Sequence, residues 1–445
     1  MNKFRFFAFL LILIQVLLLV SPAALAESNA NYLIDGAPEI DASAALLLDI
    51  ESGTVLYSMN ADARIYPASL TKIMTTMLAL KYGDLNDEVT ASITATSGLP
   101  LDASTVDIKA GEVMTLQDLL YCVMVASANE ACNVVAEYVS GSIDEFVSLM
   151  NQEAADLGCT STHFTNTNGL HDDGHYTTAR DLSIMTLAAL KYPDFVTLCN
   201  TASKEIPATN ISAPRYLKTT NYLISNNTVV GYLYTKACGV KTGYTSQAGH
   251  CLISTAQSGS MSLLSVLTGA KSVVLEDGTT QIQSFTQTAE LFDFGFNSFQ
   301  SVTVLKSVEM LAEVPVTMAT DTESVVLSPS QNLTVLLPKN YNEDLIEKQV
   351  TLLYPDGVEA PVSAEDELGY VTVRYAGTEL GTVSLRAITD VARSELQYYT
   401  SVIQNYLSNH LVQIIILVAA VALVGYILIY TIHNHHRRRR NRRIR

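Results

Sequence analysis

Three short strings carry the residue types of an acyl-transfer site: Ser69-Leu70-Thr71-Lys72, Ser127-Ala128-Asn129 and Lys241-Thr242-Gly243. A serine hydroxyl is a poor nucleophile until a base takes its proton, and a lysine amine can be that base when it is held neutral. Ser69 and Lys72 lie three residues apart, which puts them one turn apart on one face of a helix. A helix starting at Ser69 also turns its positive end, and the backbone N–H of Ser69, toward charge growing on an attacked carbonyl. Lys72 needs a depressed pKa, which burial and a nearby second cation, Lys241, could provide. Ser127 can carry a proton to a leaving amine, and Asn129 can hydrogen-bond a substrate amide. Either residue could equally cap the helix that follows. Lys241 and Thr242 offer a cation and a hydroxyl to a substrate carboxylate, while Gly243 leaves room for a peptide beside a strand. Any one string recurs by chance, and an isolated Ser-x-x-Lys is more often an exposed pair on an amphipathic helix. Their order, spacing and context make the set informative.

The elements that must hold these residues mix strands with helices. Residues 44–50, a Glu-Ser-Gly turn and 54–57 read as a hairpin. Helices are predicted over 69–82, 115–125, 129–140, 143–157 and 178–190, the last stopped before Pro193. Strands follow at 239–242, 250–256 and 261–268, then a closing helix at 286–296. Strands at both ends with helices between imply an α+β domain, one antiparallel sheet covered by helices, over 42–298. From 299 to 391 the character changes. Residues 301–305, 314–318, 333–337, 349–353 and 370–374 alternate apolar and polar, the pattern of half-buried strands in a small all-β domain. A helical stem, 392–410, comes next.

The two ends of the chain suggest where it resides. Lys3 and Arg5, an apolar run from Phe6 to Val20 and the small-residue site Ala24-Leu25-Ala26 read as a signal peptide over 1–26, with a linker at 27–41. Residues 411–432 carry no charge and span about 33 Å as a helix, enough for one transmembrane crossing. The tail, 433–445, holds seven arginines, and such clusters stay on the cytoplasmic side. The expected arrangement is a single-pass membrane protein with the bulk of the chain outside the cell and its C-terminus inside. The net charge of −17 becomes more negative once the leader and tail are set aside, which argues against a nucleic-acid partner.

Six cysteines are too few for a disulfide scaffold. Cys238 and Cys251 flank the Lys-Thr-Gly string and are the first pair to test; six buried free thiols is the equal or better alternative. His171 and His175, four apart, suit a metal on a helix, but Asp172, Asp173 and Gly174 between them indicate a loop, so no metal site or other cofactor is expected. Residues 166–170, Asn-Thr-Asn-Gly-Leu, read as a turn with left-handed positions.

Longer segments around the strings strengthen the case. Residues 67–75, Pro-Ala-Ser-Leu-Thr-Lys-Ile-Met-Thr, and 241–252, with Lys-Thr-Gly-Tyr-Thr and Ala-Gly-His-Cys-Leu, resemble the serine-type D-Ala-D-Ala carboxypeptidases, the low-molecular-weight penicillin-binding proteins of peptidase family S11. Residues 164–170 and 174–181 are similar to that family's connecting segments. The resemblance covers 42–296 well and the β domain in general character. It implies a β-lactamase/transpeptidase-like fold, with Ser69 acylated by the penultimate D-alanine of a peptidoglycan stem peptide and Lys72 as base. It further implies that Ser127 protonates the departing D-alanine, Asn129 orients the substrate, and Lys241 and Thr242 hold the terminal carboxylate. The backbone N–H groups of Ser69 and Tyr244 would form the oxyanion hole, water would release the acyl group, and β-lactams would be covalent inhibitors. Two features depart from the family's habit. Ser-Ala-Asn-Glu-Ala stands where Ser-Gly-Asn-Asp-Ala is usual, and a full span replaces a surface-lying amphipathic helix. A serine β-lactamase shares the three strings but needs an added carboxylate for its deacylating water, and no Glu-x-x-Leu-Asn follows the second string. A silent cell-wall-binding scaffold is the other alternative, and the intact Ser69, Lys72 and Lys241 speak against it.

Overall fold

The computed structural model describes residues 36–442. The signal peptide, most of the linker and the last residues of the arginine tail lie outside the described residues. Two compact units make up the rest. One comprises the chain through Val302 together with Thr334–Asn342; the other comprises Thr303–Leu333 and the chain from Glu343 onward. The division therefore falls inside the strand Phe299–Leu305, a few residues beyond the composition change at 298/299.

The first unit is organised by five strands: β1 (Ala44–Asp49), β2 (Val55–Met59), β3 (Ala237–Thr245), β4 (Gly249–Ser258) and β5 (Met261–Ala270). They lie in the order β2-β1-β5-β4-β3, antiparallel throughout. The N-terminal hairpin thus joins the C-terminal strands, with Ala44 opposite Thr268 and Leu47 opposite Ser265. All six β1 residues are buried, because both faces of the sheet are covered. Ala44, Leu46 and Leu48 join the core under the helices, while Ala45 and Leu47 join Phe285, Leu291 and Phe292 of the closing helix Gln283–Ser298. Alternate side chains point to opposite faces, so a strand covered on both sides reads as an unbroken apolar run.

Between the hairpin and β3 come α1 (Lys72–Tyr82), α2 (Leu116–Met124) and α3 (Asn129–Ser140), then the helices Ile143–Asp156 and Ala179–Ala189. Thr115, Ser142 and Thr178 start three of these by accepting a hydrogen bond from the backbone N–H three residues on, and Gly141 ends α3 at φ 81°. The first turn of the expected 69–82 helix is instead a 3₁₀ turn, Ala68–Thr71. Every residue of α1 from Lys72 to Ala79 is buried. A lysine in the first turn of a core helix is removed from water by its position alone.

Other expectations need correction. Pro193 opens a short helix, Pro193–Cys199, rather than merely stopping one; proline suits a first helical position because its missing N–H would have no partner there. Three two-stranded ribbons went unread: Glu88–Thr90 with Val113–Thr115, Ser203–Ile206 with Arg215–Lys218, and Ser272–Val274 with Thr280–Ile282. Three or four residues are too few to show a period of two. Cys238 and Cys251 do not pair. The β3–β4 register sets Gly243 opposite Cys251, which leaves Cys238 on the order of 17 Å away along β3 at ~3.4 Å per residue. All six thiols are free; five are buried and Cys238 is half-buried.

The second unit contains a six-stranded sheet. Three predicted strands are in it, as Ala312–Thr317, Ile346–Leu352 and Glu367–Tyr375. Ser324–Pro329, Val358–Glu359 and Thr378–Ala387 complete it and had not been expected. A helix, Glu395–Ser408, capped by Ser394, precedes the helix His410–Arg442, which is long and apolar enough over His410–His436 to cross a bilayer.

Candidate active site

Ser69 stands at the head of α1 in a tightly constrained turn. Ala68 before it has φ 48°, a left-handed conformation that costs a residue with a Cβ on the order of 1–2 kcal/mol. The turn persists because its surroundings hold it. Thr71 Oγ1 donates to Ala68 O at 2.9 Å, and Leu70 N donates to Pro67 O. Gly169 packs so closely that a Cβ there would stand 1.8 Å from Ala68 O. On the other side, a Cβ on Gly243 would lie 3.0 Å from Ser69 N and 3.1 Å from Pro67 O. The space that Gly243 leaves is therefore taken up by the serine turn, where the sequence suggested a bound peptide. Its consequence is to bring the backbone N–H of Ser69 against the Gly243–Tyr244 stretch of β3.

Lys72 is fully buried, with Nζ 2.8 Å from Ser69 Oγ, 2.8 Å from Asn129 Oδ1 and 2.7 Å from Asn168 O. Two of these partners are carbonyl oxygens and can only accept. A neutral amine fills both with its two N–H bonds and keeps its lone pair for the Ser69 hydroxyl. The Asn129 amide is oriented for this by its other end, since Nδ2 donates to Ser104 O at 3.1 Å. Burial brings the Lys72 pKa down from 10.5 to about 8, against the partial opposition of Cys132 and Glu130. The expected second cation, Lys241, is electrostatically linked to Lys72. Lys241 is itself buried, and burial first and then Lys72 hold its pKa well below the ordinary value. Asn168 is fixed by the turn around it: Asn166 Oδ1 accepts from Gly169 N, Thr75 Oγ1 donates to Thr167 O, and Thr167 Oγ1 donates to Asn133 Oδ1.

Lys241 Nζ donates to Ser127 Oγ at 3.0 Å. Ser127 occupies the bend between α2 and α3 at φ 60°, and neither it nor Asn129 caps α3; Ala128 holds that position with no side-chain bond. The catalytic reading of these two residues is thus free of the capping alternative. Thr242 Oγ1 pairs with Thr220 Oγ1 at 2.5 Å. β3 is the edge strand of the sheet, a position from which a strand can pair with another extended chain. Ser69, Ser127, Thr242, Gly243 and Tyr244 line one cleft of about 330 Å³, with Thr220 beside them and Tyr222, Ile282 and Phe285 forming an apolar flank. All seven residues singled out from the three strings, and Tyr244, therefore converge on one place.

Sequence reasoning missed Ser104, Thr220 and the role of Asn168. Ser104 and Asn168 act through backbone carbonyls, which any residue type supplies. Thr220 carries no local signal. Asn129 N and Nδ2 both reach Ser104 O, and the loop that carries Ser104 is braced by Arg215, which donates to Val106 O and Asp107 O and forms an ion pair with buried Glu112. His171 and His175 part company in their loop: His171 lies 3.6 Å from Asp173, while His175 turns inward to Thr71.

Known proteins are similar to this chain over most of its length. The sequence profile of D-alanyl-D-alanine carboxypeptidases matches residues 32–272, and that of the penicillin-binding protein 5 C-terminal domain matches 299–393. The chain is 31% identical over 389 residues to D-alanyl-D-alanine carboxypeptidase DacF of Bacillus subtilis, covering 86% of this chain and 94% of that one. It is 33% identical over 373 residues to DacC of Escherichia coli, covering 82% and 86%. Among solved structures it is similar to penicillin binding protein 5 from Haemophilus influenzae, with a TM-score of 0.64 and 28% identity over 80% of this chain and 99% of that one. The site and these likenesses together lead to one assignment: the chain belongs to the D-alanyl-D-alanine carboxypeptidase family.

Proposed function

We propose that this serine D-alanyl-D-alanine carboxypeptidase removes the terminal D-alanine of peptidoglycan stem pentapeptides through an acyl-enzyme on Ser69. The observation that carries the reading is the trio of Lys72 contacts, which leaves a neutral amine one free valence, aimed at the Ser69 hydroxyl. Lys72 takes the hydroxyl proton, and Ser69 Oγ bonds to the carbonyl carbon of the penultimate D-alanine. The backbone N–H groups of Ser69 and Tyr244 receive the oxyanion, for which the closeness of Ser69 N to Gly243 is the support. The C–N bond then breaks. Ser127, in contact with Lys241, passes its hydroxyl proton to the departing amine and is reprotonated with the proton that Lys72 took from Ser69. Lys241 and Thr242 receive the terminal carboxylate, and the substrate backbone lies along the β3 edge. Asn129 chiefly holds Lys72, and the second N–H of its amide remains for the substrate. Water finally attacks the ester and frees Ser69.

A β-lactam presents the same carboxylate and a strained amide to this machinery and would leave Ser69 acylated. We further propose that residues 42–298 form the catalytic domain and 299–391 the β domain, that 392–410 form the stem, and that 411–432 span the cell membrane. The arginine tail would lie in the cytoplasm and the catalytic domain outside. Incubation of wild type and Ser69→Ala with a pentapeptide muropeptide tests the chemistry. Loss of one alanine residue's mass with wild type alone supports it. Cleavage by the variant, or cleavage elsewhere in the stem, would reject it.

A further inference from the structure

We propose that His175 is a positioning residue for Ser69, its imidazole holding Thr71 so that the strained turn at Ala68 presents the nucleophile. The inference rests on the reading of Ser69 as nucleophile. His175 is buried, 2% exposed, and each ring nitrogen has a defined partner. Thr165 N donates to Nδ1 at 3.0 Å, so Nδ1 carries no proton. The proton is then on Nε2, which lies 2.8 Å from Thr71 Oγ1 and donates to it. That bond commits the Thr71 hydroxyl proton to its other neighbour, Ala68 O, at 2.9 Å. A directional chain thus runs from Thr165 N through the imidazole and the threonine to the carbonyl of the left-handed residue before Ser69. Phe164 packs edge-on against the ring at 5.5 Å between centroids, and Gly169 closes the turn from the side.

The chain works only with a neutral ring, since an imidazolium would set an Nδ1–H against the Thr165 N–H. The titratable groups facing the ring are Asp172 and His171 on its own loop, His163 before it and Lys72 on α1. Asp172 favours the charged ring and the others oppose it. Burial is the largest cause and brings the pKa to about 4, so the ring is neutral in neutral solution.

The test separates donor from acceptor. His175→Asn keeps an acceptor near the Nδ1 position but cannot reach Thr71, whereas His175→Gln places an amide N–H near the Nε2 position. Thr71→Val removes the relay and keeps the shape. Acylation by a fluorescent penicillin is resolved into a binding constant and an acylation rate constant. The expected result is a fall in the rate constant of about 10- to 100-fold for His175→Asn and for Thr71→Val, with binding within about twofold, since small misplacement of a reacting group costs rate rather than affinity. The double variant should be no slower than the worse single one, and His175→Gln should recover most of the loss. Wild-type acylation by His175→Asn, equal impairment of Gln and Asn, or multiplied losses in the double variant would overturn the inference. If His175→Asn does not accumulate as folded protein, Thr71→Val and His175→Gln decide alone. Labelling of Ser69→Ala in the same assay would instead defeat the nucleophile assignment.

Discussion

Replacing Glu130 by glutamine should raise activity below neutrality, an outcome that damage to the site does not imitate. Glu130 is buried beside Asn129; Oε1 accepts from Val106 N at 2.7 Å, and Oε2 has no partner among the described residues. Glutamine keeps the Oε1 acceptor and removes the charge. That charge is one of two groups holding the Lys72 pKa up. With the pKa at about 8, about one molecule in ten has a neutral Lys72 at pH 7, against about one in three thousand at the ordinary 10.5. Glu130→Gln lowers the pKa further, so the neutral fraction at pH 7 increases, with a ceiling of about tenfold. A weaker base also transfers the proton less readily, so the plateau at high pH should fall, by roughly threefold for each unit the pKa drops. The two profiles should cross. The assay is the second-order acylation constant with a fluorescent penicillin from pH 5.5 to 10. The variant's midpoint should lie below that of wild type, with faster reaction at pH 6 and slower at pH 10. A midpoint that stays put or moves up would falsify the claim that Lys72 acts as a neutral base tuned by Glu130.

Three further outcomes are expected. Lys72→Ala should abolish acylation while retaining the fold; an undiminished rate in stopped-flow labelling rejects its role as base. Gly169→Ala should cost about 2–4 kcal/mol in denaturant unfolding and remove most acylation, because the new Cβ meets Ala68 O at 1.8 Å and the residue sits at φ 87°; a variant with normal stability and rate would show that the turn yields freely. Truncation before Leu411 should release a soluble enzyme whose rate on a small D-Ala-D-Ala peptide is within about twofold of the detergent-solubilised full chain; a folded but inactive fragment contradicts the view that the span only anchors.

The chemistry was legible because each reacting group belongs to a residue type with few substitutes: a hydroxyl, an amine, an amide and a second amine at fixed spacings. Four helices between 72 and 157 were legible, two of them through the glycines that end them, Gly83 and Gly158, whereas the single turn Ile93–Thr96 is too short to show a period. What tunes the site was not. Ala68 and Ser127 adopt left-handed backbone conformations that neither residue type favours, because tertiary contacts with Gly169, Gly243 and Lys241 impose them. Ser104 and Asn168 contribute carbonyl oxygens, which carry no sequence mark. His175 was visible as half of a histidine pair and as part of a family-like segment, but its actual partner, Thr71, lies 104 residues away. The strand Thr378–Ala387 escaped notice because Glu379, Gly381 and exposed polar residues fill its first half, and its alternation begins only at Val383. Cys238 and Cys251 do lie on neighbouring strands, as the sequence suggested, but the register that separates them and leaves both thiols free cannot be read from the residues alone.

The proposed chemistry bonds Ser69 covalently to the carbonyl carbon of a D-alanyl substrate or its β-lactam mimic. Intact mass measurement of the protein after brief exposure to benzylpenicillin, followed by peptide mapping, tests this most directly. The expected result is a single adduct equal to the mass of the whole drug, carried by the peptide that contains Ser69 and absent from Ser69→Ala. An adduct on any other residue, or none on folded protein, would contradict it.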